Sequence, residues 1–166
     1  GATRVLFSAH GLPKKFVAGG DPYQDQVERT AAAIVTKLAI DRLDHIVCYQ
    51  SRVGRLEWLS PYTDDEIRRA GRDGVPVVVV PIAFVCEHSE TLVELDIEYA
   101  ELAEMSGVPK YYRVPTVGTD AAFINSLARL VGLALAQSEP VLSGRGGRVC
   151  PAMFGHCPMK TDGASS

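Results

Sequence analysis

A histidine that follows directly on an apolar run is the first residue of this chain with evident chemistry. His10 lies in the segment SAHGLP, where Gly11 and Pro13 predict that the chain turns immediately after it. A neutral imidazole can bind a transition metal or accept a proton near neutral pH. An isolated loop histidine can equally be a hydrogen-bonded surface residue, so His10 indicates a site only together with suitable neighbours.

A second set of metal-competent side chains follows the apolar run that ends at residue 84. The segment EHSETLVELDIEYAELAE begins a predicted helix with His88 and Glu90. The same helix continues with Glu94, Glu98 and Glu101. Carboxylates three or four residues apart share one helix face, and their repulsion costs only a few tenths of a kcal/mol per exposed pair. The row is either a solvated acidic face or a path for cations or protons, and the presence of His10 favours the path.

The loop after the second predicted strand supplies further polar and aromatic groups. The segment QSRVGRLEWLSP brings Gln50, Ser51 and Arg52 to the end of the strand and Trp58, the only tryptophan, to the loop beyond. An indole in a loop often only covers the core, and the alternative is a flat wall against which a large aromatic ligand stacks. The position of Trp58 near the strand end favours the wall.

Alternating strand and helix patterns predict the scaffold that positions these residues. Four runs rich in β-branched and aromatic residues predict strands, and the segments between them have helical spacing. The predicted strands are 3–8, 45–50, 75–84 and 110–114, and the predicted helices are 23–40, 64–72, 88–105 and 120–137. Thr63 and Glu66 have the spacing of a capping box, whereas Gly74 and Gly107 are typical of helix ends.

The third predicted strand indicates how the sheet is covered. Residues 77–80 are all valine, which is typical of a strand buried on both faces. We therefore predict an α/β fold: an open, doubly wound, mainly parallel four-stranded sheet with helices on both faces. In such sheets the ligand crevice lies beyond the carboxyl ends of the strands. His10, Ser51 and His88 are expected at that edge.

Length and composition limit what the chain can be. Its 166 residues suit one domain, and we predict an α/β domain over 1–137 and an irregular tail, rich in Gly, Pro and Ser, over 138–166. The formal net charge of −3 gives no electrostatic reason to expect a nucleic-acid partner. No run is long enough to cross a bilayer and no signal peptide is recognisable, so we expect a cytosolic protein.

Several motifs in fixed order resemble the ferrochelatase family. They are SAHGLP, GDPY, QSRVG followed by EWL, PIAF followed by EHSETLVELDIEYAELA, and RVPTVGTD. The resemblance extends to about Leu135 and corresponds to the C-terminal half of that family, whose members have two similar α/β halves. It implies a metal chelatase, a lyase that inserts Fe²⁺ as substrate into protoporphyrin IX and forms haem with release of two protons.

The resemblance also implies roles for individual residues. His10 and Glu90 match catalytic positions, and His88 lies beside them. Ser51 and Trp58, with His88, match positions that line the porphyrin pocket. The positions that would handle the metal are His10, Glu90, Glu94 and Glu98. Whether His10 accepts pyrrole protons or first binds the iron stays open, and we favour proton acceptance.

Two cysteines in the tail raise the question of a cofactor. Some ferrochelatases carry a 2Fe–2S cluster held by four cysteines, several of them close to the C-terminus. Cys150 and Cys157 lie in such a tail, whereas Cys48 and Cys86 belong to strand-like segments. We expect Cys150 and Cys157 to be either two cluster ligands, whose partners lie in the half that this chain lacks, or free thiols.

The resemblance implies partners as well as chemistry. The second wall of the cleft would come from the missing N-terminal half or from a second copy of this chain. One alternative is a homodimeric, short chelatase that inserts cobalt or iron into sirohydrochlorin-like tetrapyrroles. Another is a fragment that binds metal or haem without turnover. The choice between protoporphyrin and coproporphyrin and a peripheral membrane contact stay open.

Overall fold

The computed structural model describes residues 3–138 and 141–159. The strands are β1 (Arg4–His10), β2 (His45–Gln50), β3 (Val77–Pro81) and β4 (Tyr111–Arg113). The α-helices are α1 (Lys14–Ala18), α2 (Tyr23–Leu38), α3 (Thr63–Asp73), α4 (Ser89–Leu92), α5 (Tyr99–Met105) and α6 (Ala121–Leu135). A π-helical stretch, here called the π-segment (Glu94–Glu98), separates α4 from α5.

The four strands form one parallel sheet in the order β2-β1-β3-β4. The central strand β1 pairs with both neighbours, so that Ser8 lies beside Cys48 on one side and Pro81 on the other. The last pair of the β1 and β2 ladder is His10 with Gln50. The register therefore brings the ends of β1 and β2 to the same edge of the sheet.

Apolar side chains cover both faces of the sheet. On one face Leu6, Val77 and Val79 are fully buried against Ile67 of α3 and Leu95 of the π-segment. The opposite face has its own cluster, Val5, Phe7 and Ala31, in which Ala31 belongs to α2. Each fully buried aliphatic side chain contributes about 1.5–3 kcal/mol to folding. The predicted α/β class, with a parallel sheet and helices on both faces, is confirmed.

The observed elements differ from the predicted ones in four respects. The predicted helix 88–105 is three segments, because the backbone hydrogen-bond ladder widens to the π form at 94–98. The capping box at Thr63 and Glu66 is wrong. Tyr62 precedes α3 without a side-chain cap, and the Thr63 hydroxyl hydrogen-bonds instead inside the core, with Ser8 and Cys48. The predicted strand 75–84 is shorter, and α1 was not predicted.

The chain divides into two compact units. The first contains 1–14 and 27–118 and holds the whole sheet; the second contains 15–26 together with the described part of 119–166. Within the second unit Asp120 caps α6, and His156 donates its backbone N–H to the carbonyl of Gly20 at 3.1 Å. The predicted domain boundary at residue 137 stays a prediction. None of the helices in the described ranges is both long and apolar enough to cross a membrane.

Two glycines in helices should respond oppositely to the same substitution. In α3 a Cβ on Gly71 would lie 2.0 Å from the carbonyl oxygen of Ser106, whereas a Cβ on Gly132 in α6 would meet nothing within 4 Å. We expect Gly71→Ala to lower the free energy of unfolding by about 3 kcal/mol, because backbone must move to relieve the overlap. Gly132→Ala should raise it by about 0.5–1 kcal/mol through helix propensity. Urea unfolding of both variants tests the pair, and equal effects would contradict the packing of α3 on α5.

Candidate active site

His10 and Glu90 face each other at the carboxyl edge of the sheet. His10 is the last residue of β1, and Glu90 lies in the first turn of α4. The Nε2 atom of His10 and the Oε1 atom of Glu90 are 3.5 Å apart. The His10 side chain is 40% exposed and the Glu90 side chain 38% exposed. Glu90 lines the cleft described below, whereas His10 is not among its lining residues.

The hydrogen bond of the His10 ring determines which ring nitrogen carries the lone pair. Nδ1 lies 2.7 Å from the carbonyl oxygen of Gly11. A carbonyl oxygen only accepts, so Nδ1 carries a proton and donates it. In a neutral ring Nε2 then has the lone pair, directed towards Glu90. The turn after β1 thus orients the imidazole, and in this tautomer Nε2 is the atom that can accept a proton or bind a metal ion.

His88 caps the N-terminus of the acidic helix with its side chain. Its Nδ1 accepts the backbone N–H of Glu90 at 3.1 Å, while its own backbone N–H donates to the Thr91 hydroxyl at 3.0 Å. An accepting Nδ1 leaves the proton on Nε2. The Phe84 ring lies between the two histidines, 5.2 Å from the His88 ring and 6.4 Å from that of His10.

The π-segment changes the backbone that carries the next carboxylates. The carbonyl of Val93 accepts from both Ile97 and Glu98, each at 3.0 Å, and Tyr99 donates to the carbonyl of Glu94. Such i to i−5 bonds are rare and recur at functional sites. Glu94 and Glu98 line the same cleft as Glu90 although the helix is not regular, whereas Glu101 is not among the lining residues.

Glu94 is the most firmly held carboxylate of the row. Its two oxygens accept hydrogen bonds from the backbone N–H of Ser51 (2.8 Å), the Ser51 hydroxyl, the Gln50 amide (3.1 Å) and the Tyr99 phenol (2.8 Å). Burial, with Glu94 as a further cause, raises the pKa of Tyr99, so the phenol keeps its proton and donates it. A metal ion would reach Glu94 only by displacing a donor, and the metal role predicted for it stays a prediction.

Gln50, at the end of β2, connects the sheet to the acidic helix. Its side chain is fully buried, accepts a hydrogen bond from the Ser8 hydroxyl at 2.7 Å and donates to the carbonyl of Glu90 at 2.8 Å. Ser51 follows with a left-handed backbone (φ 62°), which costs a non-glycine residue energy and is concentrated at functional sites. That conformation directs both the N–H and the hydroxyl of Ser51 to Glu94.

A cleft of about 360 Å³ lies in front of these residues. Its lining includes Ser51, Arg52, Val53, Glu90, Val93, Glu94 and Glu98. The lining combines exposed valines with carboxylates, and it is open to solvent at Val53, whose surface is 69% exposed. Within 3–138 and 141–159 no three His, Cys, Asp or Glu side chains are grouped to hold a metal ion.

Trp58 lies beside the site but is not among the residues that line the cleft. It is 8% exposed, donates its indole N–H to the carbonyl of Val53 at 3.1 Å, and packs over Gly11. A Cβ on Gly11 would lie 3.1 Å from the indole and 2.9 Å from the carbonyl oxygen of Gln50. Trp58 therefore supports the turn that orients His10, and the stacking role predicted for it stays a prediction.

The four cysteines fall into two groups. Cys48 is fully buried, and burial raises the pKa of its thiol to about 12, which makes it a structural residue. Cys86 is exposed in the loop before His88. Cys150 and Cys157 both belong to the second unit, and burial, with the Cys157 thiol as a further cause, raises the pKa of Cys150.

The structure adds an arginine that sequence analysis missed. Arg113 of β4 is only 11% exposed and forms ion pairs with Glu87, before His88, and Asp96, in the π-segment. The Glu87 carboxylate also accepts the backbone N–H of Thr116 at 2.9 Å. Phe84 and Tyr99 were missed too. The position of Arg113 in a predicted strand of a sheet that packs against an acidic helix could have indicated its ion pairs. The sequence pattern at Phe84 and Tyr99 is that of ordinary core residues.

Comparison with a solved structure defines the class of fold. A cobalamin (vitamin B12) biosynthesis CbiX protein from Marinobacter aquaeolei VT8 aligns with a TM-score of 0.58, covering 82% of this chain and 99% of that protein. The sequence identity is 18%, so the likeness concerns the fold alone. The molecule is an α/β protein with the parallel-sheet architecture of that structure.

Sequence comparison identifies the family within that class. The ferrochelatase family model matches residues 1–135. Ferrochelatase from Caulobacter vibrioides is 52% identical over 163 residues, which cover 98% of this chain and 46% of that protein. Ferrochelatase from Rickettsia bellii is 51% identical over 93% of this chain and 44% of its own length. The chain belongs to the ferrochelatase family, and it spans about half the length of the curated relatives that it matches.

The Glu87 carboxylate should make stability depend on pH in the acid range. Burial acts to raise its pKa, but hydrogen bonds from Thr91, the Thr116 N–H and Arg113 outweigh burial and lower the pKa from 4.5 to about 2. A depressed pKa contributes stability above pH 4.5 that is lost as the pH falls towards 2. We expect Glu87→Gln to lower the melting temperature at pH 7 and the difference from the unsubstituted chain to shrink between pH 4.5 and 2.5. A difference that does not change with pH would contradict this assignment.

Proposed function

We propose that this chain forms one wall of a ferrochelatase active site, in which Fe²⁺ is inserted into protoporphyrin IX to form haem with release of two protons. The observation that carries the proposal is the His10–Glu90 pair, 3.5 Å apart at the carboxyl edge of the sheet, in a chain of the ferrochelatase family. Metal insertion removes two pyrrole protons, so the site must contain a base and a route by which protons leave.

His10 is the base in this proposal. Its Nδ1 donates a proton to the Gly11 carbonyl, so Nε2 is the ring atom that would accept a pyrrole proton. The imidazolium that forms is stabilised by the Glu90 carboxylate, which lies 3.5 Å from Nε2. A positioned base of this kind contributes about 10²–10⁴-fold to a rate. Binding of iron at the same lone pair is the alternative, because one lone pair cannot serve both purposes at once.

The carboxylates along the cleft would bring in the cation and lead protons out. Glu90, Glu94 and Glu98 all line the cleft. Because Glu94 is fixed by four donors, we assign it mainly to holding the negative row in place, and we assign the mobile exchange of cations or protons to Glu90 and the exposed Glu98. Carboxylate oxygens suit a hydrated divalent cation in transit.

The porphyrin would lie against the apolar side of the cleft. Val53 and Val93 are 69% and 44% exposed in the lining, and Ser51 supplies a polar contact beside them. His88, with its proton on Nε2, offers a hydrogen-bond donor towards the substrate. Exposed apolar side chains at a concave surface are typical of ligand sites.

The second wall of the cleft must come from outside this chain. The relatives are about twice as long as the segment matched, so we infer that the rest of such a protein supplies that wall. A second copy of this chain is the other source. The CbiX protein, named for cobalamin biosynthesis and matched over 99% of its length, supports a short cobalt chelatase as the second candidate function. Its 18% identity makes that support weaker than the ferrochelatase matches.

For Cys150 and Cys157 we propose a shared role as two ligands of a 2Fe–2S cluster, supported by their place in the same unit and by the effect of Cys157 on the pKa of Cys150. The cluster needs four thiolates, and this chain does not fit it alone, because Cys48 is buried in the sheet and Cys86 belongs to the other unit. The remaining ligands would come from outside the chain. The cytosolic location and a peripheral membrane contact remain predictions from the sequence.

The assay for the main proposal uses a chimera in which this chain replaces the matching segment of the Caulobacter ferrochelatase. We expect anaerobic insertion of Fe²⁺ into protoporphyrin IX by the chimera, and a fall of about 10²–10⁴-fold in kcat for His10→Ala and for Glu90→Gln. His45→Ala and Glu104→Gln, which change exposed residues of the same types away from the cleft, serve as controls and should retain the rate. A fully active His10→Ala enzyme would refute the assignment, and metallation only of sirohydrochlorin by cobalt would favour the second candidate.

The cluster proposal has a spectroscopic test on the same chimera. We expect visible absorption of a 2Fe–2S cluster and acid-labile sulfide after anaerobic purification, and loss of both in Cys150→Ser and Cys157→Ser. Cys86→Ser is the matched control, because Cys86 is an exposed thiol of the other unit. A colourless chimera without labile sulfide would identify the pair as ordinary thiols.

A further inference from the structure

We propose that Arg113 is a positioning residue, which holds both ends of the stretch 88–95 and so keeps Glu90 at its working distance from His10. The inference rests on the proposed function for its consequence in catalysis. Its structural part, that the edge strand β4 stabilises the π-segment, can be tested without any activity.

The guanidinium of Arg113 bridges two carboxylates that bracket the acidic helix. Its Nη1 atom lies 2.6 Å from Oε1 of Glu87, the residue before His88. Its Nε atom lies 2.7 Å from Oδ1 of Asp96, and Nη2 pairs with the second oxygen of the same carboxylate. One rigid, planar group therefore contacts the loop that leads into α4 and the π-segment that follows it.

The burial of Arg113 makes these ion pairs stronger than ordinary surface pairs. Its side chain is 11% exposed, whereas the partner carboxylates are 32% and 35% exposed. Fully exposed ion pairs are weakened by water and salt, but a shielded bidentate pair with fixed geometry retains more of its energy. Hydrogen bonds with Asp96 and Glu87 raise the pKa of Arg113, so its charge is permanent.

A neighbour on β4 supports the same segment through its backbone. The phenol of Tyr111 donates to the carbonyl of Leu95 at 2.8 Å. In an α-helix the backbone N–H of Tyr99 would donate to the carbonyl of Leu95, four residues earlier. Here it donates to the carbonyl of Glu94, five residues earlier, so the Leu95 carbonyl does not receive that hydrogen bond. Tyr111 and Arg113 are two residues apart on a strand and point to the same face. Strand β4 thus supplies a donor and a counter-charge where the helical ladder is irregular.

The consequence for the site is geometric. Arg113 pairs with Glu87 at one end of this stretch and with Asp96 at the other. Glu90 and Glu94 lie between these two residues in the sequence. The first contacts His10 and the second accepts from Ser51 and Gln50. A displacement of about 1 Å at a reacting group can cost on the order of 10²-fold in rate. Loosening either end should therefore reduce turnover although no side chain that touches substrate is changed.

Arg4 provides a matched control. It is a buried arginine, with an 8% exposed side chain, and it also pairs with two carboxylates, Asp44 and Asp73. It begins β1, at the opposite edge of the sheet from His10. Arg4→Met and Arg113→Met therefore each remove two ion pairs of a shielded arginine. The ion pairs of Arg4 are distant from the acidic helix, whereas those of Arg113 are made with residues on either side of α4.

The activity test uses the chimera described above. We expect Arg113→Met to lower kcat for iron insertion by about 10–100-fold and to change the KM for porphyrin by less than about threefold, with partial recovery in Arg113→Lys. Arg4→Met should lower the melting temperature by a similar amount but keep kcat within about twofold. Equal kcat values for the two methionine variants would overturn the positioning role.

The structural test uses hydrogen exchange on the 166-residue chain. We expect Arg113→Met and Tyr111→Phe to accelerate exchange of the amides of 94–99 at least tenfold relative to those of α3, and Arg4→Met not to do so. Unchanged exchange at 94–99 would overturn the inference. If Arg113→Met does not fold, Asp96→Asn and Glu87→Gln, which remove one branch each, take its place with the same expectations. A wild-type chimera without metallation would refute the proposed function while the exchange data still decide this inference.

Discussion

The buried amide of Gln50 is the interaction on which the arrangement of the site depends. It is hydrogen-bonded to Ser8 within the sheet and to the carbonyl of Glu90 and the carboxylate of Glu94 outside it. Leaving such a fully buried amide without partners would cost about 1–3 kcal/mol per unpaired group, so helix and sheet favour one relative position. The parallel register that sets Gln50 beside His10 then brings the imidazole and the acidic helix together.

How much of this could be predicted depends on the range of the interactions. The valines of 77–80, the turn after His10 and the spacing of the glutamates are local patterns, and they were sufficient for the parallel sheet, for the edge that carries the site and for the pairing of His10 with Glu90. Four-residue spacing keeps carboxylates on one face in an α-helix, and they remained on one cleft here.

The rest of the site depends on contacts between distant segments, which periodicity does not reveal. The π-segment has the same residue pattern as an α-helix, and its stability comes from Tyr111 and Arg113 on another element. The Thr63 hydroxyl was expected to cap its own helix, but a buried partner in β1 competes for it. Trp58 packs over Gly11, a contact that its own segment does not indicate, and the stacking role predicted for it stays a prediction. In each case a residue found a tertiary partner that its own segment could not indicate.

Gly11 also limits which sequences this site can accept. Because a Cβ at this position would overlap the carbonyl of Gln50 and press on the indole of Trp58, every side chain there would force the ends of β1 and β2 apart. The neighbouring Ser51 has a strained, left-handed backbone, and in this conformation it donates two hydrogen bonds to Glu94. Substitutions at Gly11 and Ser51 are therefore unsuitable for changing metal or substrate preference, because they would disturb the backbone at the ends of the strands. Variation has more room on the exposed lining at Val53 and Val93, where the backbone imposes no such condition.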